Sequence, residues 1–263
     1  VWICIAVAVL GAAGFGVWRW KRPPLARDIR QALWNEIQPV ALKNCALKRF
    51  GSANDGGYLM CENLLDGIAS AYSYGIDTED NWGCEVSTRL NVPVHQYDCF
   101  TPYRPTCPGG RFVYHNECIG PRAETIDAHP FDTLASQIAK NGDAGKPLLV
   151  KMDIEGAEWE SLLATPNELL DRIAQLPMEL HGVNKPRFIE LVQKLKQTFY
   201  LVSVHFNNFA CSKTSQPFPA IAYQVLFVNK RLGVLDPGRA ARVPGSPPDA
   251  PDNPTRPDCQ PAR

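Results

Sequence analysis

Between about residues 50 and 235 the chain alternates short β-rich runs with helical ones. Apolar and β-branched residues cluster over residues 70–76, 92–98, 111–119, 147–154, 174–181, 200–206 and 222–229, which predicts seven strands. Helical periodicity predicts helices over 82–90, 131–141, 158–163 and 186–197. Strands that alternate with helices build a parallel sheet covered on both faces, so the expected fold class is α/β and doubly wound. Ligands of such sheets collect at the carboxyl ends of the strands, beside the point where strand order reverses. The polar residues that end these strands are therefore the candidates for function.

The pattern changes on either side of this region. Residues 1–18 carry no charge and almost no polar group, and Arg19, Lys21 and Arg22 follow at once. A helix of that length rises about 27 Å, close to the thickness of a hydrocarbon core. Trp18 and Trp20 suit its interface. A single transmembrane anchor over residues 1–20 is expected, and with it a single-pass membrane protein. A signal peptide is the competing reading, but its apolar core usually spans only about 7 to 15 residues and its charges come first. Residues 21–46 predict a juxtamembrane amphipathic helix, with Ile29, Leu33, Trp34, Ile37, Val40 and Ala41 at helical spacing and a break near Pro39. Residues 47–235 form the main domain. Residues 236–263 hold eight prolines and no aromatic side chain, and read as a disordered tail.

Charge sharpens this division. The 27 basic and 27 acidic groups cancel, which argues against a nucleic-acid partner held through phosphates. Residues 19–49 hold eight basic and two acidic groups, whereas residues 50–160 hold seven and seventeen. The basic collar alone would place the domain in the cytoplasm, although basic residues upstream of Val1 could reverse that. Cysteine use points to the lumen. Eight of the nine cysteines lie outside the span (Cys45, Cys61, Cys84, Cys99, Cys107, Cys118, Cys211, Cys259) and could form an even set of disulfides, with buried free thiols as the alternative. None lies in a CxxC pair, so a cysteine zinc site is unsupported.

Two strand ends carry the chemistry. The first runs Tyr72-Ser73-Tyr74-Gly75-Ile76 into a loop with Asp77, Glu79 and Asp80, followed by Glu85. It is not GxGxxG, and its carboxylates would repel a pyrophosphate and favour a cationic ligand. Asp98 ends the next strand, where an acid can accept hydrogen bonds from both hydroxyls of a ribose. Together these favour S-adenosylmethionine, an adenosine with a cationic, phosphate-free arm; a helix cap or a solvated turn is the bland reading of each acid. The second is Lys151-Met152-Asp153-Ile154-Glu155-Gly156-Ala157-Glu158-Trp159. Strand alternation puts Lys151, Asp153 and Glu155 on one side, where they need partners or a ligand. A Lys151 ion pair that merely closes the sheet is the structural alternative.

This run resembles the Lys-hydrophobic-Asp-hydrophobic-Glu-Gly-Ala-Glu signature of the FkbM-type S-adenosylmethionine-dependent methyltransferases, in particular their methyltransferase-like branch. Arg49-Phe50-Gly51 with Asp55-Gly56-Gly57-Tyr58 resembles that branch's opening motif, and Val94-His95-Gln96-Tyr97-Asp98 its second cofactor strand. Met178-Glu179-Leu180-His181 and His205-Phe206-Asn207-Asn208 resemble its later strand ends. The likeness covers about residues 47–230 and departs at Gln224, where an acid is expected. It implies a class I methyltransferase fold with a seven-stranded sheet, S-adenosyl-L-methionine at the carboxyl edge, and O-methylation of a hydroxyl on a sugar or other small acceptor. By that likeness Gly75, Asp77 and Glu85 lie near the methionine part and Asp98 on the ribose. His115, Asn116 and Glu117 are candidates for the adenine region, and Asp153 and Glu155 border donor and acceptor.

Methyl transfer from a sulfonium needs proximity, alignment and a base for the hydroxyl. His181 and His205 are the candidate bases, beside Asp153, Glu155 and Glu179. A divalent cation held by the same groups is the alternative, and no metal site is assigned. A membrane-tethered, non-catalytic binding protein and a nicotinamide-dependent oxidoreductase remain as other classes.

Overall fold

A computed structural model describes residues 25–259. The expected anchor over residues 1–20 lies outside them. Within them no helix is long and apolar enough to cross a membrane. In chain order the elements are α1 (Ala26–Glu36), β1 (Leu47–Gly51), β2 (Gly57–Cys61), β3 (Ser70–Tyr74), α2 (Asn81–Leu90), β4 (Pro93–Tyr97), β5 (Arg111–His115), β6 (Cys118–Ile119), β7 (Glu124–Ile126), β8 (His129–Asp132), α3 (Leu134–Lys140), β9 (Leu148–Met152), α4 (Glu158–Ala164), α5 (Asn167–Leu170), β10 (Ile173–His181), α6 (Pro186–Thr198), β11 (Phe199–Phe206) and β12 (Ala222–Asn229).

Each of the seven expected strand regions supplies one strand to a single sheet of order β11-β12-β10-β9-β3-β4-β5. The five strands from β10 to β5 run parallel, and β12 is antiparallel to both its neighbours. The chain passes from β3 outward to β4 and β5, then crosses back to β9 on the other side of β3. The fold is thus Rossmann-like α/β, with its switch point between β3 and β9. Buried strands explain why the sequence runs here are apolar almost throughout. Tyr72, Val150, Met152 and Met178 pack on one face with Leu33, Trp159 and Leu191 of α1, α4 and α6. Ala71, Leu149 and Leu226 pack on the other with Phe50, Tyr58 and Met60 of the β1–β2 hairpin and Trp82 of α2. Local signals set the helix ends: Asp80 caps α2 by accepting from the Gly83 amide at 2.7 Å, and Pro186 occupies the start of α6.

Two expectations need correction. The helix expected over residues 21–46 closes at Glu36, and its apolar side belongs to the domain: Ile29 and Leu33 are buried, and Trp34 packs on Phe206 and Phe218. The tail expected to be disordered from residue 236 instead folds as an irregular strap across the sheet edge. Polar and covalent links hold it where apolar side chains are lacking. Arg49 pairs with Asp249, His205 with Asp249 and Asp252, Asn208 donates to the carbonyl of Asn253, and Cys259 is bonded to Cys211. Cys45–Cys61, Cys84–Cys107 and Cys99–Cys118 complete four disulfides, so all eight cysteines named above are paired.

Candidate functional site

Two joined cavities open at the switch point. One, of about 400 Å³, lies at the carboxyl ends of β3, β4 and β9; Gly75, Asp77, Asp98 and Asp153 line it beside apolar Ile119 and Phe131. The other, of about 280 Å³, lies under the β1–β2 hairpin at the start of α2, and Asp55, Tyr58, Asn81 and Lys151 line it. Gly75, Asp77 and Asp153 belong to both walls. A larger cleft of about 540 Å³ between Trp34, Phe206 and the strap contains none of these strand-end acids.

The meeting point is built by backbone proximity. Gly75 has φ +70°, and a Cβ there would overlap the carbonyl oxygen of Asp153, so the β3 turn can lie against the end of β9 only as glycine. Lys151, buried, does not pair with Asp153. Its Nζ donates to the carbonyls of Tyr74 at 3.2 Å and Gly75 at 2.6 Å, which ties the turn down. The cavity linings together carry seven carboxylates (Asp55, Asp77, Glu79, Asp80, Asp98, Asp153, Glu155) and this one occupied ammonium. Such a wall repels phosphate and attracts a cation.

Behind Asp153 lies a tight polar group. Tyr58 donates its hydroxyl proton to Asp153 Oδ2 at 2.7 Å, and Asn207 donates to Glu179 Oε1 at 2.9 Å. His181 Nδ1 lies 2.7 Å from Oε1 of Glu158, a carboxylate with no exposure. Trp159 Nε1 donates to the His181 carbonyl at 2.7 Å, so the Glu158-Trp159 end of the motif clamps the end of β10. His181 Nε2 faces Glu155 Oε2 at 3.4 Å, Glu179 Oε1 at 3.5 Å and Asp153 Oδ1 at 3.8 Å. Burial pushes Glu179 up, the charge of Asp153 adds to it, and its pKa reaches about 8. Burial alone would lower His181, but the hydrogen bond and charge of Glu158, with the charges of Glu179 and Asp153, outweigh it and raise it to about 9. The two shifts belong to the pair together, so a retained proton is shared by the cluster and is not assigned to one residue.

The structure brings Asp153, Glu155, His181 and Glu179 together, and places Gly75, Asp77, Asp98 and Asp153 on the cavity wall. Five expected residues lie elsewhere. Glu85 points to the hairpin, where it accepts from the Gly51 amide and pairs with Lys48 and Arg89; its place on the second turn of α2 aims it away from the Gly75 loop. Asn116 is exposed and lines neither cavity, because the chain turns inward only at Cys118 and Ile119. His205 lies beneath the strap between Asp249 and Asp252, with β12 between it and Glu179. His115 stacks on Tyr97 and Glu117 pairs with Lys140, so neither wall contains them. Asp98 also does more than expected: Oδ1 accepts from the amides of Phe100 and Thr101, and Oδ2 more loosely from Ile76 and Asp77. A ribose diol would compete for the looser pair. Sequence reasoning missed Tyr58 and Glu158 as partners of the site, although both stand inside its motifs.

Fold and site together define a Rossmann-like α/β protein whose switch point opens two joined, acid-walled cavities. No known protein-family model matches the chain, and no curated protein matches it.

Proposed function

We propose that the protein is an S-adenosylmethionine-dependent methyltransferase of the class I fold that methylates a hydroxyl group of a sugar or other small acceptor. The observation that carries this reading is the pair of cavities joined at Gly75, Asp77 and Asp153. A nucleoside fits the more apolar one, bordered by Ile119 and Phe131. The zwitterionic amino-acid end fits the polar one at the start of α2, where helix amides suit a carboxylate and the surrounding acids suit an ammonium. The sulfonium between them then lies at the shared Asp153. The surplus of carboxylates disfavours a nicotinamide dinucleotide, whose pyrophosphate would meet no free cation among the described residues that line the two cavities.

When bound, S-adenosylmethionine supplies an activated methyl group for in-line displacement by the acceptor oxygen. The chain's residues do the rest. Gly75 and Lys151 fix the turn against which the donor lies, Asp153 faces the acceptor hydroxyl, and Glu179 and His181 behind it hold or release the proton. The anchor over residues 1–20 belongs to the same proposal, as does an oxidising compartment for the domain, which the four disulfides favour over the cytoplasm.

Calorimetry with S-adenosylhomocysteine and with NAD tests the cofactor: binding of the first alone is expected, and binding of NAD alone would overturn the reading. Transfer of labelled methyl from S-adenosylmethionine to a panel of glycans and small hydroxyl compounds then tests the reaction. Cofactor binding with no labelled product from any acceptor would favour a non-catalytic binding protein.

A further inference from the structure

We infer that Asp153, Glu179 and His181 form a binding site for one divalent first-row transition cation, of the Mn²⁺ or Zn²⁺ type, at the end of β9 and β10. One ligand atom from each of the three residues lies within 4.8 Å of the other two. His181 Nε2 stands 3.5 Å from Glu179 Oε1 and 3.8 Å from Asp153 Oδ1. These gaps are too long for hydrogen bonds. They match the spacing of about 3.4 Å between donors that each sit about 2.1 Å from one tetrahedral ion. Nε2 thus has three carboxylates around it and a hydrogen bond to none of them.

A second observation is independent of that spacing. Two of the three residues are held on the atom turned away from the others, Asp153 by the Tyr58 hydroxyl on Oδ2 and His181 by Glu158 on Nδ1, and Glu179 is fixed by Asn207 on Oε1 itself. A carboxylate on the far nitrogen of a histidine is the usual outer support of a metal-bound imidazole. Glu179, with 5% side-chain exposure, accepts this one hydrogen bond among the described residues. One imidazole and two carboxylates, with no thiolate, select a borderline cation over Ca²⁺, which takes oxygen ligands only. Three protein ligands leave positions open toward the cavity wall that contains Asp153.

The role of the ion in catalysis rests on the methyltransferase reading. There it would bind the acceptor hydroxyl and lower its pKa, so that the oxygen attacks the methyl group as its proton leaves to solvent or to Glu155. Binding itself does not rest on that reading.

The test uses the full chain, stripped with chelator and returned to chelator-free buffer. Titration with Mn²⁺ is followed by loss of the free-ion electron paramagnetic resonance signal, and Zn²⁺ is followed by competition. One equivalent per chain is expected, with affinity at least tenfold lower in Glu179→Gln and His181→Gln and unchanged in Glu85→Gln. Thermal melts accompany each variant, and Tyr58→Phe serves as a milder change that keeps all three ligands. Stoichiometric binding that survives in both ligand variants, or no binding of either ion by the wild-type chain, would overturn the site. Binding of S-adenosylhomocysteine by the stripped chain is measured in parallel. Cofactor binding without metal binding removes the metal site alone, and metal binding without cofactor binding removes the methyltransferase reading alone.

Discussion

At the scale of single residues, the two histidines expected to act as bases have opposite surroundings. His181 borders the cavity group, whereas His205 is a buried cation between Asp249 and Asp252. Both follow β-type runs, but only His181 has an acid close by in the sequence, Glu179; none lies within ten residues of His205. The acids of His205 come from the strap, some 44 and 47 residues further on, beyond the reach of any motif. His205→Ala leaves two buried carboxylates facing each other and is expected to cost about 3–5 kcal/mol, measured by urea denaturation. Turnover per folded molecule is expected to persist; its loss at unchanged stability would return His205 to the catalytic set. Burial alone would lower the His205 pKa, but hydrogen bonds and charges from Asp249 and Asp252 raise it from 6.5 to about 10. A raised folded pKa gives stability that is fully present below the unfolded value and is lost as pH rises through about 10. The wild-type urea midpoint should therefore fall between pH 7 and 10.5 by more than that of His205→Gln. Parallel curves would refute the assignment.

At the scale of elements, most of the seven strands were legible because a strand buried on both faces leaves a largely apolar run, while β5, a partly exposed edge strand, showed through its aromatic and β-branched residues. The β1–β2 hairpin, β7 and β8 were not, since they are only three to five residues long, and β6 merged with β5 into one expected run over 111–119. Strand order was beyond reach as well, because it depends on pairings such as β3 with β9, which are 74 or more residues apart. Gly75 shows how far local reading goes: its place at a strand end marked it for the site, but the contact that requires glycine, with the Asp153 carbonyl, comes from a different element. Gly75→Ala is expected to combine backbone strain of about 1–3 kcal/mol with a forced shift of β9, and to lower S-adenosylhomocysteine affinity more than tenfold. Gly156→Ala is the control. Gly156 also has positive φ, at +104°, yet nothing lies within 4 Å of its added Cβ, so it should lose stability while keeping affinity. Equal loss of affinity in both would show that the turn's flexibility, and not its contact with β9, matters for binding. Lys151→Met removes the donor to both turn carbonyls without adding bulk, and should weaken binding in the same assay.

At the scale of the molecule, the strap and the disulfides show how a segment poor in apolar side chains is held on a domain. Residues 236–263 look disordered by their proline content and lack of aromatic side chains, a sound criterion for a segment that must bury its own surface. It fails for one that is tied to a finished domain by ion pairs and a covalent bond. Cys211–Cys259 closes a span of 48 residues, and the chain-entropy relation assigns such a crosslink about 4 kcal/mol. Much of the strap's order depends on that link, because its remaining contacts are polar and the segment has no regular secondary structure. In Cys259→Ser the strap should become the first site of cleavage in limited proteolysis under native conditions. Loss of the strap also exposes His205, Asn208 and Gln224, so the thermal midpoint should fall along with protease resistance. Thiol titration of the unfolded, unreduced chain gives the complementary count. With eight cysteines paired, at most one of the nine, Cys4 outside the described residues, should react. If three or more react in protein purified without reductant, a crosslink is missing. If the missing crosslink is Cys211–Cys259, the wild-type strap should be cleaved as readily as that of the serine variant.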